Sequence, residues 1–346
     1  MKKRSEKNRL RVLGLIHEGL APKDDATEAE ARAASWKTEY DVVKALRAAG
    51  HEVMLIEVGG ELSPIRKVVE EWKPHIAFNL LEAFDDVATW DLNVVAYLEM
   101  TKVRYTGSNT RGLLLARDKA IAKKLLTYHR IPIADFAVFP KGKPVKRPKR
   151  LGFPLMVKSL TLDASIGISQ ASVVESDEKL AERVRFIHES TDTDALVERY
   201  IEGRELYVGI LGNERVKVLP IWELQFNKMP EEQRKIATER LKWSLTYQKK
   251  HGIVSGEAKE LPEGTEARIQ DICKRIYKNL MLSGYARIDL RLADNGTVYV
   301  IEANPNPQLA KDEDFALSAK AAGLDYGRLI QKIVSLGMSW EPRRLG

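Results

Sequence analysis

The chain has 346 residues, 44% of them hydrophobic, and a net charge of +7 from 56 basic and 49 acidic side chains. That length suits two or three domains, and no apolar run approaches the ~20 residues needed to span a bilayer. A single cysteine, Cys273, excludes an internal disulfide and suits a reducing, cytoplasmic setting. The mild positive charge is compatible with phosphate-bearing small molecules and does not demand nucleic acid. The charged start, Met1–Arg9, lacks a following apolar core, so no signal peptide is expected.

In chain order, the apolar run Val12–Ile16 predicts a buried parallel strand. Residues 21–34 are charged and Ala-rich, predicting a loop or surface helix. Trp36–Ala48 is an amphipathic helix ending at Gly50, and Glu52–Val58 a second strand. Ser63 before Pro64 predicts an N-cap with proline in the first helical position, opening a helix to Trp72. His75–Leu80, Trp90–Met100 and Val103–Tyr105 continue as strand, helix and strand. This alternation implies parallel βαβ units. No G-x-G-x-x-G follows the first strand, so a dinucleotide site is not expected there.

Leu113–His129 predicts one helix carrying Arg117-Asp118-Lys119. Residues 139–150 are basic and Pro-rich and predict an exposed linker; no interleaved aromatics support an RNA-contacting patch. A buried strand Pro154–Ser159, a loop Leu160–Gly167, the segment Ile168–Val174, a helix Asp177–His188 and a strand Ala195–Tyr200 form a second unit. Glu205–Leu211 and Val216–Trp222 predict a hairpin around Gly212-Asn213. Residues 225–260 read as a long polar loop. Thr265–Leu282 reads as a helix, with Cys273 on its apolar face as a buried thiol.

The densest chemistry lies between Gly284 and Pro307. Two alternating runs, Tyr285–Leu292 and Thr297–Ala303, flank Asp294-Asn295-Gly296, a β-hairpin signal. Alternation puts Arg287 and Asp289 on one face of the first strand, and Glu302 and Asn304 on one face of the second. Pairing around the turn sets Asp289 opposite Glu302. Two carboxylates and an amide oxygen on one face form an oxygen-rich cage of the type Mg²⁺ prefers. Without a cation, two adjacent carboxylates would be costly. An arginine beside them suits a developing negative charge.

Other residues suit a nucleotide. Lys158 ends an apolar strand and must be paired or face a cavity. The small-residue loop after it, Leu160–Gly167, has amides that can reach phosphate. Glu198–Glu205 joins two strands, a hinge that offers backbone groups to a base edge and acidic side chains to ribose hydroxyls.

Together these pieces resemble the ATP-grasp superfamily, most closely its D-alanine–D-alanine ligase-like branch. The residues that carry the resemblance are Tyr105-Thr106-Gly107-Ser108, Asp118-Lys119, Pro154-Leu-Met-Val-Lys158, Glu198 and Glu205 seven apart, Arg287-x-Asp289 and Glu302-x-Asn304. The resemblance implies an α/β chain of α+β lobes with the ATP-grasp fold. Its parts would be an N-terminal Rossmann-like domain (1–112), a central lid (113–200) and a C-terminal domain (201–346) carrying the metal site. It implies ATP and two Mg²⁺ ions, with Mn²⁺ a substitute. Lys119 and Lys158 would meet the phosphates, Glu198 with the Tyr200–Ile201 backbone the adenine, and Glu205 the ribose. Asp289 and Glu302 would hold one ion, Glu302 and Asn304 the second, and Arg287 would stabilise an acyl-phosphate. The loop bearing Ser165 would close over the γ-phosphate, Lys242 would belong to a second closing loop, and Glu18 would orient a substrate amine. The partners implied are a small carboxylate and an amine, amino acids or peptides, and a second copy of the chain in a homodimer; neither nucleic acid nor membrane is expected.

The sequence departs from that branch on the substrate side. The lid reads Asp163-Ala164-Ser165-Ile166-Gly167, with one serine in place of two. Phe78–Ala83 replaces a histidine-glycine stretch. Pro305–Ala310 replaces a Pro-Gly-Met-Thr segment, and Asp312, Glu313 and Asp314 follow. The nucleotide half matches and the amino-acid half does not, which predicts ATP activation with an altered donor or acceptor. The acidic 312–314 rim would disfavour a second carboxylate. The alternative is a nucleotide- or nucleic-acid-binding protein without ligase turnover.

Overall fold

The computed structural model describes residues 9–163 and 165–342. The chain opens with β1 (Arg11–His17), a short α1 (Glu28–Ala31), α2 (Lys37–Ala48), β2 (Glu52–Val58), α3 (Ser63–Glu71), β3 (Ile76–Asn79) and α4 (Asp91–Met100). The three strands form a parallel sheet in the order β2-β1-β3. Val12, Leu13, Leu15 and Ile16 have no exposed surface, because helices cover both faces of a parallel sheet. Two expectations need correction here. The stretch Val103–Tyr105 makes only a single bridge, Ala77 to Tyr105, because the chain turns away at Gly107 (φ +94°). Ser63 is the first helical residue of α3 rather than its cap, and its hydroxyl donates to Glu61 at 2.8 Å. Within 21–34, Thr27 and Glu30 form a capping box that starts α1.

Next come α5 (Thr110–Arg117) and α6 (Lys119–Tyr128). The single helix expected over Leu113–His129 is broken at Asp118. Its backbone leaves the helical region (φ −83°, ψ 101°) and its carboxylate accepts from Ala120 and Ile121 amides. An aspartate cap restarts the helix, so Lys119 becomes the first residue of α6.

A second, antiparallel sheet comprises β4 (Phe136–Phe139), β5 (Leu155–Ser159), β6 (Val173–Val174) and β7 (Ala195–Arg199), in the order β4-β7-β5-β6, with α7 (Asp177–Thr191) packed on it. Only Val173–Val174 of the 168–174 segment pairs; Gln170–Ser172 wind into a 3-10 turn. The basic 139–150 segment is partly tied down. Arg147 pairs with Asp177 at 2.6 Å and stacks on Phe153, and Lys141 pairs with Asp192.

The third sheet has the order β10-β9-β8-β11-β12. It is built from β8 (Arg204–Gly212), β9 (Val216–Phe226), then α8 (Glu239–Trp243), α9 (Leu245–His251), β10 (Ile253–Glu257), α10 (Thr265–Asn279), β11 (Tyr285–Leu292) and β12 (Val298–Asn304). The polar stretch 225–260 is therefore not a loop throughout: Thr238 and Ser244 cap two short helices, and Ile253–Glu257 extends the sheet. One face of α10 buries Ile269, Ile272, Cys273 and Ile276 against this sheet, Cys273 with no exposed surface. Two closing helices, α11 (Asp314–Ala321) and α12 (Tyr326–Ser339), bring the C-terminal part back onto the first sheet. Ile330 and Ile333 of α12 share a core with Val12, Val42 and Leu46.

That return needs a close approach at Gly337, where a β-carbon would lie 2.3 Å from the Tyr105 carbonyl oxygen. Alanine is the better helix former, yet Gly337→Ala is expected to destabilise the protein by about 1–3 kcal/mol through overpacking. Thermal denaturation of the variant checks the sign.

Candidate active site

The site is founded on the β11–β12 hairpin. Gly296 (φ +77°) makes the turn, and the ladder pairs Arg287 with Asn304 and Asp289 with Glu302 before a bulge after Asp289. The sequence register therefore holds at the functional positions. Asp289 is 5% exposed. Its carboxylate accepts from Arg287 Nε (2.7 Å) and a second Arg287 nitrogen (2.8 Å), and from Asn304 Nδ2 at 3.1 Å. Burial pushes Asp289 up from its ordinary range. Arg287 opposes that shift, the Glu302 charge across the ladder adds to it, and Lys242 opposes it. The like-charge cost at Asp289 and Glu302 is the cost a divalent cation would relieve. Among the described residues no group of three or more His, Cys, Asp or Glu could hold a metal. The donor set here is two carboxylates and an amide, an all-oxygen set that fits Mg²⁺ or Mn²⁺.

A cradle of buried cations faces this hairpin. Lys119 is 4% exposed; its Nζ donates to Asp163 (2.8 Å) and to the Leu162 carbonyl (2.9 Å), and lies 3.7 Å from Glu302. Burial alone would push this ammonium down, but Asp163 and Glu302 raise it. Asp163 also accepts from Arg117 at 2.6 Å, and Arg117 is held from behind by Asp91 at 2.6 Å.

Lys158 contacts Glu198 at 2.7 Å, and Lys123 reaches the other Glu198 oxygen at 2.6 Å. The Lys123 contact is an ion pair without hydrogen-bond alignment. Burial opposes ionisation of Glu198, yet Lys123 and Lys158 hold it at about 2. Burial, with the Lys158 charge, pushes Lys123 down although Glu198 pulls it up.

A cleft of about 890 Å³ brings these groups together. Lys119, Lys158, Ser165, Glu198, Tyr200, Ile201, Glu205, Lys242, Asp289 and Glu302 all line it. Arg287 and Asn304 touch it through Asp289. Ser165 sits in the left-handed region (φ +59°) at the mouth. The loop after it is joined to the α8 region: the Gly167 amide donates to Glu239 at 2.9 Å, and the Glu239 amide donates back to Ile168 at 3.0 Å. Glu205 is fixed by Arg291 (3.0 Å) and by the Tyr207 hydroxyl (2.8 Å).

Comparison with known proteins decides the family. A family model described as D-ala D-ala ligase C-terminus matches residues 125–335. The chain belongs to the D-alanine–D-alanine ligase family. A D-alanine–D-alanine ligase of Nitratidesulfovibrio vulgaris is 30% identical over 320 residues, covering 89% of this chain and 97% of that one. An uncharacterised Sinorhizobium fredii protein, y4sG, is 31% identical over 306 residues, 85% of each chain. The crystal structure of the Bacillus anthracis D-alanine–D-alanine ligase complexed with ATP shares the fold, with a TM-score of 0.72 at 24% identity, over 95% of this chain and 97% of that one.

Several residues of this D-alanine–D-alanine ligase family member escape a reading by motif. Lys123 lies one turn beyond Lys119 on α6, a spacing that could have flagged it. Arg291 continues the Arg287–Asp289 face of β11 and is 5% exposed. The Asp91–Arg117–Asp163 chain joins residues far apart in sequence and left no local signal. Glu18 does not line the cleft; it is exposed at the end of β1, with its carboxylate beside Gly59.

Glu39, in the first turn of α2, was also missed. It is 4% exposed, and burial pushes it up to about 7, with the Glu82 charge adding to the effect. Below about pH 4.5 this group is protonated in both folded and unfolded chains. Between about pH 4.5 and 7 the unfolded chain releases this proton while the folded chain keeps it, so stability falls across that window and levels off above it. Glu39→Gln is therefore expected to stabilise the protein by about 3 kcal/mol at pH 8 and to change little at pH 4. Thermal melts across that range read the widening gap.

Lys123→Met removes a buried partner of Glu198, which still keeps Lys158. We expect destabilisation of about 1–3 kcal/mol, because Glu198 loses one of its two cations and not both, together with weaker ATP binding, measured by denaturant unfolding and calorimetry.

Proposed function

We propose that this chain is an ATP-dependent, ADP-forming ligase that joins a small carboxylate to an amine. The observation that carries the reading is the placement of Lys119 Nζ 3.7 Å from Glu302, directly across the ladder from an Asp289 already bound to Arg287. Phosphate cation, metal carboxylates and arginine thus converge on one point. In this reading a substrate carboxylate oxygen attacks the γ-phosphorus of ATP, giving an acyl-phosphate and ADP. The amine then attacks the acyl carbon, and phosphate leaves with the electron pair of the broken C–O bond.

The chain's own residues divide this work. Lys119 and Lys158 would bind phosphate oxygens, and a phosphate would compete with Asp163 for the Lys119 ammonium. Glu198 and the Tyr200–Ile201 backbone would hold adenine, and Glu205, fixed by Arg291 and Tyr207, the ribose. Arg287 would turn from Asp289 toward the acyl-phosphate. Asp289 and Glu302 would hold one Mg²⁺, and Glu302 and Asn304 a second; when bound, these ions supply charge neutralisation at the phosphates. The Ser165 loop and the Lys242 segment, bridged through Glu239, would exclude water from the reactive intermediate. The division into domains at residues 112 and 200, a homodimer, and a cytoplasmic location belong to the same proposal. No helix of the described residues is long and apolar enough to cross a membrane.

The nucleic-acid alternative is not favoured: the basic 139–150 segment spends Arg147 and Lys141 on local carboxylates, and Arg150 on the Phe136 carbonyl.

ADP release with Mg²⁺-ATP and a panel of amino acids and amines tests the reading. Arg287→Met is expected to lower kcat roughly 10²–10³-fold, in line with loss of a preorganised charge partner, and Glu302→Gln to abolish turnover. Unchanged turnover in Glu302→Gln would discard the mechanism.

A further inference from the structure

Resting on the ATP-dependent reading, we infer that Lys119 and Arg117 form one two-cation phosphate site, for which the Asp163 carboxylate is a built-in competitor of the nucleotide's phosphates. The two oxygens of Asp163 are divided between the two cations. One accepts from Lys119 Nζ at 2.8 Å and the other from Arg117 Nη1 at 2.6 Å. A carboxylate shared in this way offers the charge and the acceptor oxygens that a phosphate would offer. Asp163 lines the cleft beside Lys119, Leu162, Ser165 and Glu302, and Arg117, 8% exposed, reaches the cleft through it.

Neither cation depends on Asp163 for a partner. Arg117 donates from Nε (3.0 Å) and Nη2 (2.6 Å) to one oxygen of the fully buried Asp91, and from Nη2 to the Glu82 carbonyl at 3.3 Å. Among the described residues its Nη1 donates to Asp163 alone. Lys119 keeps the Leu162 carbonyl at 2.9 Å and Glu302 at 3.7 Å. The backbone around Asp163 is anchored by other bonds. The Thr161 and Leu162 amides donate to Ser159 Oγ at 3.3 and 3.1 Å, and the Ile166 amide donates to the Asp163 carbonyl at 3.2 Å. The hold on the two cations is therefore made by the Asp163 side chain by itself.

Along the run Asp91–Arg117–Asp163–Lys119–Glu302, three carboxylates alternate with two cations. A phosphate entering beside Asp163 meets a like charge, whereas one that replaces it inherits both cations. Burial opposes ionisation of Asp163, yet Lys119 and Arg117 hold it well below the ordinary carboxylate range, so it competes as an anion at neutral pH. The time that Asp163 spends on the pair lowers the apparent phosphate affinity in proportion. Removing its charge should tighten phosphate binding, the opposite of what loss of a supporting contact would do.

The test is calorimetry on the full chain with Mg²⁺, comparing Asp163→Asn and Asp163→Ala with the unaltered protein. The probes are a non-hydrolysable ATP analogue, tripolyphosphate and adenosine. Both variants are expected to bind the analogue and tripolyphosphate about tenfold or more tightly, and adenosine no differently. Adding Arg117→Lys to Asp163→Ala is expected to remove most of that gain, because one ammonium cannot serve both Asp91 and a phosphate. Equal or weaker binding of both phosphate probes by the single variants, or an equal gain for adenosine, would overturn the inference. Full retention of the gain in the double variant would overturn the two-cation site. Tripolyphosphate that gains while the analogue binds no form of the protein counts against the ATP reading alone. An analogue bound equally by all forms counts against this inference alone.

Discussion

The pairing of Asp289 with Glu302 across the β11–β12 ladder governs the rest of the site. Side chains opposite each other on one sheet face are held roughly 5 Å apart at Cβ, so the fold fixes two carboxylates side by side regardless of what binds them. Everything around them then answers that negative charge. Arg287 takes one carboxylate from the same strand, Asn304 donates to it from the next, and Lys119 approaches the other from α6. The rigidity comes from β8, which pairs with β11 along its whole length, and from α10, whose Ile272 and Ile276 share a core with Ile288 and Leu290 on the opposite face. A one-residue slip of the ladder would turn all of these polar groups into that core, so the same hydrophobic pattern that folds the hairpin also sets its chemistry.

The hairpin was legible in the sequence because its information is local. Period-two alternation and an Asn-Gly turn specify register within twenty residues, and register alone places Asp289 opposite Glu302. The parallel strand Val12–Ile16 and the apolar face of α10 were legible for the same reason. The failures involve information that is not local, or local chemistry that outweighs periodicity. Asp118 interrupts a continuous helical pattern because its carboxylate caps two amides at once. The helices within 225–260 are short and polar, stabilised by Thr238 and Ser244 caps and by packing of Leu241 on Trp222 and Leu224. The partners of Lys123 and Arg117 lie 26 to 75 positions away and become visible only when the sheets are assembled, as does the burial of Glu39.

The buried charges of the cleft and the buried carboxylate of α2 carry different electrostatic solutions. On the nucleotide side, carboxylates and ammonium groups are interleaved, Glu198 between Lys123 and Lys158, Asp163 between Lys119 and Arg117. Each buried charge has a partner: with Asp91 on Arg117 and Glu302 beside Lys119, four cations meet four carboxylates. An anionic ligand entering there exchanges one partner for another rather than creating new charge. In the first turn of α2, by contrast, Glu39 is buried with an unpartnered oxygen, and burial together with the Glu82 charge pushes it up to about 7.

That asymmetry bears on how one framework could change substrates while keeping its nucleotide chemistry. The cation cradle is assembled from α5, α6, β5 and β7, whereas Glu39, Glu82 and Glu313 come from α2, the segment after β3 and the segment after β12. The two sets meet at Arg117, whose guanidinium donates to the Glu82 carbonyl at 3.3 Å, and at Arg287, whose charge acts on Glu313. A change of charge in the first turn of α2 or at Asp312–Asp314 leaves Glu198 and its lysines undisturbed, because substitutions that share no partner act nearly independently. Arg287 is different. It stacks on Tyr207, binds Asp289 and lies in the field of Asp314, so it couples the charge of the segment after β12 to the Asp289 carboxylate.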